Sequence, residues 1–191
     1  MTPVWHEGAL TSLARGATSP VVWHAPDRGA GERQRLAHEL IAHLADMAVD
    51  AVRLARNAAG APRVAHPAGW HLGLSRRGDA CLIAAATRPV AVDRECFDGE
   101  PPLWDMLSER EAQEIRMLDP DDRPNAWLRR WTMKEAHAKL IGEPRRIAPE
   151  TIETRIVDAV HGSATREGIS RCWTRARGDA IETVAIWGDG A

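Results

Sequence analysis

The chain has 191 residues, 44% of them apolar and 27% charged, with a net charge of −2. This is the profile of a globular protein with enough length for one large domain or two small lobes. The charge argues against a general nucleic-acid binder, and the longest apolar runs, such as "CLIAAA", are far too short to cross a membrane.

The first 30 residues read as strands and turns, with Pro20, Pro26 and several glycines breaking any helix. A helical stripe begins near Gly31 and runs through Leu36, Leu40, Ile41, Leu44, Met47 and Ala48. "AVRLAR" predicts a strand and "NAAGAPRVAHPAG" a loop. "WHLGLS" and "DACLIAAAT", joined through "RRG", predict a β-hairpin. "PVAVDRE" predicts a further short strand, and "FDGEPPL" a turn-rich connection. "LSEREAQEIRML" has a strong helix start, because Ser108 and Glu111 are spaced as a capping box. "PNAWLRRWTMKEAHAKLIG" predicts a longer helix that ends at Gly142 and Pro144. "TRIVDAV" predicts a strand, and "ISRCWTRARGDAIETVAIWG" a second hairpin. The sequence "RGDA" occurs at both hairpin turns, Arg77–Ala80 and Arg177–Ala180. Its place in each half suggests an internal duplication with a boundary near Pro89. The expected domains are 1–89 and 90–191.

Three cysteines, Cys81, Cys96 and Cys172, form no CxxC pair, and their number is odd. That fits a reducing cytoplasm better than a disulfide scaffold or a zinc site. The start "MTPVWHEGAL" lacks a basic-then-apolar signal pattern, so a cytoplasmic location is expected. The eight histidines include no HxH or HExxH and are assigned no ligand role; His137 is rotated about 200° from Glu135 on the predicted helix.

Only two lysines occur, Lys134 and Lys139, and both lie in "WTMKEAHAK". A compact ammonium fits one phosphate oxygen better than a planar guanidinium does, although a GC-rich coding sequence also depletes lysine. Glu135 and Lys139 share a helix face at i and i+4, with Trp131 one turn earlier. In "PVAVDRE" the strand alternation puts Ala91, Asp93 and Glu95 on one face. Two carboxylates roughly 7 Å apart at Cα call for a cation between them, or for solvent and an arginine. Each feature alone is also compatible with a surface ion pair. Together, three carboxylates and two lysines suit a Mg²⁺-dependent phosphate reaction, and no Walker or Rossmann loop is present.

These residues resemble a known family. "VAVDRE" is similar to the "GVDIE" motif, and "WTMKEAHAK" to the "W(S/T)xKEAxxK" motif, of the Sfp-type 4′-phosphopantetheinyl transferases. "GAPRVAHPAGWHLGLSRRGD" resembles that family's "GKP…NlSHs" region, and "LSEREAQEI" its "fs..E" helix. The resemblance covers roughly residues 33–145. It implies an α+β fold of two pseudo-symmetric lobes with the active site in the cleft between them. It also implies coenzyme A as co-substrate, Mg²⁺ as cofactor, an acyl or peptidyl carrier protein as partner, and a monomer. By motif position Asp93, Glu95 and Glu135 hold the metal. Glu135 also activates the carrier serine, and Lys139 contacts the transferring phosphate. Lys134 pairs with an acid. Ser75, Arg76, Arg33 and Arg63 are the expected coenzyme A contacts alongside Lys139. Here "SR" replaces the family's "SH", Ala61 replaces the lysine of "GKP", and "GEPRR" replaces a Gly-rich turn. A docking face for an acidic carrier is expected among Arg129, Arg130, Arg145 and Arg146. The alternative function is a degenerate, non-catalytic module that binds coenzyme A or a carrier protein.

Overall fold

The computed structural model describes residues 1–16, 19–58, 60–142 and 144–188. The chain is mixed α+β and forms two compact units, Met1–Val92 and Asp93–Ala191.

The first unit contains β1 (Val4–Glu7), β2 (Val21–Pro26), α1 (Ala30–Leu44), β3 (Arg53–Arg56), β4 (Pro62–His66), β5 (His71–Arg77) and β6 (Ala80–Ala86). Four strands form a sheet in the order β1-β2-β6-β5, and β3 pairs with β4 apart from it. Only the β1–β2 pairing in that sheet is parallel. The apolar run of β6 is buried along its whole length, as expected for a central strand covered on both faces. Leu36, Leu40, Ile41 and Leu44 of α1 pack with Val21, Trp23, Leu72 and Ile83 into one core.

Two local expectations fail here. The α1 stripe stops at Leu44, because the chain turns at Asp46, which has a φ of 51°. Met47 therefore joins the same core from beyond the helix. The stretch read as loop contains β4. The Asn57 side chain accepts a hydrogen bond from the Ala61 amide at 2.8 Å, and Gly60 adopts a φ of 83°. This tight turn folds "PRVAH" back onto "RLAR", a local pairing that apolar periodicity does not reveal.

The strand β7 (Val90–Cys96) carries the chain from one unit into the other. The second unit continues with α2 (Glu109–Arg116), α3 (Arg123–Ile141), β8 (Glu153–Ile156), β9 (His161–Thr165), β10 (Ile169–Arg177) and β11 (Ala180–Trp187). Its sheet runs in the order β7-β11-β10-β9-β8. The capping box at the start of α2 forms as expected, and α3 ends at Gly142 in the left-handed region, with a φ of 104°. Met133, Ala136 and Ala138 of α3 pack with Ala164, Cys172 and Ala185 from the sheet. The Thr132 and Thr183 hydroxyls share a 2.7 Å hydrogen bond beside this core.

The strand β9, "HGSAT", has too few apolar residues to announce itself. It forms because its backbone fills the ladder between β10 and β8. A Cβ on Gly162 would sit 2.6 Å from Met133 Cε and 2.9 Å from the Arg155 carbonyl. Gly162→Val is therefore expected to cost about 1–3 kcal/mol by overpacking, measurable as a lowered denaturation midpoint.

The two units share an order of elements. In the first, β2, α1 and the β5–β6 hairpin give the ladder β2-β6-β5; in the second, β7, α3 and the β10–β11 hairpin give β7-β11-β10. The two "RGDA" turns match in detail, with φ of 61° at Gly78 and 60° at Gly178. In each, the residue after the neighbouring strand donates its amide to the turn aspartate's carbonyl: Asp27 to Asp79 and Phe97 to Asp179, both at 2.7 Å.

Candidate functional site

On β7, alternation sends Asp93 and Arg94 to opposite faces of the sheet. Arg94 is buried and donates to Glu182 Oε1 of β11 at 2.6 Å; Arg175 of β10 donates to the other oxygen of Glu182 at 2.8 Å. This charge cluster runs across three adjacent strands on the face away from α3 and was not foreseen. Asp93 faces α3, where Lys139 Nζ donates to its Oδ1 at 2.6 Å. The Asp93 side chain is 3% exposed and that of Lys139 28%, so the pair opens toward solvent on the lysine side only.

Glu135 lies one helical turn before Lys139. Burial pushes its carboxyl pKa up, the Asp93 charge pushes it further, and the Lys139 charge offsets this in part. The structure thus brings Asp93, Glu135 and Lys139 together. Glu95, half-buried near the end of β7, follows Asp93 on the same strand face. Upstream on α3, the Trp127 and Trp131 rings stack at 5.9 Å, extending the Glu135 face of the helix with aromatic surface.

The two lysines do different work. Lys134 is turned inward, 1% exposed, and pairs with the fully buried Glu111 at 2.7 Å. Its expected acid partner is thus the residue that completes the α2 capping box. Burial pulls the Lys134 pKa down, with Glu111 opposing the shift. Burial pushes the Glu111 pKa up, but hydrogen bonds from Lys134 and Thr154 more than offset this and leave it below the usual glutamate value.

His137 is also buried on α3. Its Nε2 donates to the Arg166 carbonyl at 2.9 Å, its Nδ1 meets the Ser170 hydroxyl at 2.8 Å, and its ring abuts Trp187 edge-on. Burial pushes the Cys81 thiol up to about 11 and the Cys172 thiol up to about 12, so neither is a ready nucleophile.

The arginines expected at a docking face divide. Arg130 is buried and donates to Thr154 and Glu114; Arg129 donates to the carbonyls of Asp158 and His161. Both serve the second unit's own packing, which removes Arg130 from a docking role. Arg145 and Arg146 are exposed, and Glu143 of the "GEPRR" turn lies outside the described residues.

In the first unit, Asp27 receives the Gly29 amide at 3.0 Å and Arg33 at 2.5 Å. The Gly29 hydrogen bond does most to hold the Asp27 carboxyl below its usual value, and the charges of Arg33 and Arg76 add to it. Arg33 thus pairs directly with this carboxylate, while Arg76 acts on it only through its charge. Ser75 is buried on β5, whereas Arg63 is exposed on β4 in the separate β3–β4 ladder.

A family model for the 4′-phosphopantetheinyl transferase superfamily matches residues 89–186, a stretch that runs from just before β7 almost to the end of β11. The chain belongs to this superfamily. No curated protein matches it. The 4′-phosphopantetheinyl transferases move phosphopantetheine from coenzyme A to carrier proteins, generally with a divalent metal ion, and the match spans the strand and the helix that bear Asp93, Glu95, Glu135 and Lys139. Among the described residues no helix is long and apolar enough to cross a membrane. Nor does any group of three His, Cys, Asp or Glu among them stand close enough to hold a metal ion by itself. The donor chemistry is that of a hard divalent cation: Asp93, paired with the Lys139 ammonium, and Glu135, close enough to feel both charges, are carboxylates in a partly desolvated place, and Mg²⁺ is usually held by one or two carboxylates together with waters and substrate phosphates.

Proposed function

We propose that the protein transfers the 4′-phosphopantetheine arm of coenzyme A to a serine of an apo acyl or peptidyl carrier protein, in a Mg²⁺-dependent reaction. The observation that carries this reading is the meeting of Asp93, Glu135 and Lys139 inside the matched region. Asp93, Glu95 and Glu135 are the residues that would hold the metal ion. When bound, that ion supplies charge neutralisation at the diphosphate. Glu135 accepts the proton of the serine hydroxyl, directly or through a water. The serine oxygen bonds to the β-phosphorus, the bond from that phosphorus to the bridging oxygen breaks, and its electron pair leaves with adenosine 3′,5′-bisphosphate. Lys139 neutralises charge on the transferring phosphate.

In this reading coenzyme A is the co-substrate and the chain acts as a cytoplasmic monomer. Ser75, Arg76, Arg33 and Arg63 contact the nucleotide. Arg33 and Arg76, whose charges both act on Asp27, are the cations this reading assigns to the phosphate monoester. Arg76→Ala is expected to raise the KM for coenzyme A about tenfold and to leave that for 3′-dephospho-coenzyme A unchanged, since only the former carries the phosphate. Equal effects on both substrates would remove Arg76 from this role.

The deciding experiment is intact mass of an apo carrier protein after incubation with this protein, coenzyme A and Mg²⁺. A gain of one phosphopantetheine mass, absent with EDTA, is the expected result. A second reading, the non-catalytic binder, draws on Ala61 and Arg76, which stand where the resembled motifs have lysine and histidine. Mg²⁺-dependent binding of coenzyme A by calorimetry, without transfer to any of a panel of carriers, would establish that reading instead.

A further inference from the structure

We propose that the buried Glu111–Lys134 pair is a positioning device that sets where α3 presents Glu135. The inference rests on the transferase reading of Glu135. Lys134 Nζ spends its three donors on Glu111 Oε2 at 2.7 Å, the Pro149 carbonyl at 2.9 Å and the Ile152 carbonyl. Glu111 in turn accepts the Ser108 amide at 2.9 Å on one oxygen. On the other it accepts the Thr154 amide at 2.7 Å and the Thr154 hydroxyl. One turn before Lys134, Arg130 donates to the Thr154 hydroxyl at 2.9 Å. A single ammonium thus ties α3 to the start of α2 and to the turn that leads into β8, and Glu111 extends the tie to Thr154 within β8.

Stability alone does not account for this arrangement. Taking two charges out of water is costly, and well-packed apolar side chains of the same volume stabilise as well or better. What an apolar pair lacks is direction. Leu or Met fills the space at any of several helix rotations, whereas three fixed acceptors around one nitrogen admit one rotation and one axial position. The next residue, about 100° further round the helix, is Glu135. Its carboxylate has to meet Asp93 and a reacting phosphate within about 0.5 Å to be productive. In a chain that uses arginine at every other basic position, lysine stands at the place where a point cation meets three convergent acceptors.

The test is the double variant Lys134→Met/Glu111→Gln, which removes both charges and keeps an acceptor for Thr154. Thermal unfolding, kcat, KM for coenzyme A and the half-saturating Mg²⁺ concentration are measured beside wild type. The expected result is a Tm recovered relative to Lys134→Met alone, with kcat down about tenfold or more, half-saturating Mg²⁺ up about fivefold, and KM for coenzyme A within about twofold. A merely structural role would change the folded fraction without moving the Mg²⁺ dependence. A folded double variant with wild-type kcat and Mg²⁺ dependence overturns the inference while leaving the transferase reading intact. A wild-type protein that transfers to no carrier overturns both. If the double variant does not fold, Lys134→Arg serves: it keeps the charge but cannot meet the same three acceptors with a planar fork. The same loss of kcat and rise in Mg²⁺ requirement is expected there, and wild-type kinetics would overturn the inference.

Discussion

Glu135→Gln is expected to lower kcat for carrier modification by about 10²–10⁴-fold, and to make the metal-free protein more stable at neutral pH. The two effects share one cause. Burial and the Asp93 charge raise the Glu135 pKa, so the folded state holds this proton more tightly than the unfolded chain does. A carboxyl with a raised folded pKa contributes stability below its unfolded value and loses it as the pH climbs through the folded one. At neutral pH the group is charged at a cost, which glutamine avoids. The variant should therefore melt above wild type at neutral pH and show no such gain in acid. Added Mg²⁺ should narrow the difference, because the cation stabilises only the carboxylate. In the proposed transfer reaction the same substitution would remove the proton acceptor and a metal ligand, which would account for the kinetic loss. A variant that retains transfer, or one that never melts above wild type, would contradict this account of the site.

Glu111→Ala is expected to be the most damaging single substitution to the fold, at about 3–5 kcal/mol by chemical denaturation. It strands the Lys134 ammonium in the interior and leaves the Thr154 and Ser108 donors without their acceptor. Exposed pairs make a useful contrast. Arg35 bridges Glu32 and Glu39 on the surface of α1, where water screens the charges, and Glu39→Ala should leave the midpoint unchanged. Acid supplies a second check. The Glu111 pKa lies below its ordinary value in the folded protein, so its contribution is present above the unfolded value and lost as the pH falls through the folded one. Wild type should lose stability over that interval, and Glu111→Ala should lose less.

Much of the fold follows from patterns with a strong local cause. The capping box at Ser108 and Glu111, the glycine that ends α3 and the two "RGDA" turns each satisfy backbone groups from within a few residues. β9 was hidden because a strand held by ladder partners on both sides does not need apolar alternation of its own. β4 was hidden because its pairing depends on the geometry of a turn. At the site, the i and i+4 spacing put Glu135 and Lys139 on one face, and strand alternation put Asp93 on the face that meets them. Motif spacing says nothing about long-range partners. Glu111 is 23 positions before Lys134, and Glu182 is 88 beyond Arg94. For the same reason Arg130 looked like surface, when its partners lie on α2 and β8.

The scarcity of lysine gives the protein a built-in chemical label. An amine-reactive reagent finds two side chains to attack along the whole chain, and one of them, Lys134, is 1% exposed. Apart from the terminal amine, acylation should therefore fall on Lys139, beside Asp93. A single tryptic mass shift then reports whether that amine is open or covered. Under the proposed function, coenzyme A should protect Lys139 from the reagent, and mass spectrometry would read that protection without a mutation, a radiolabel or a carrier protein.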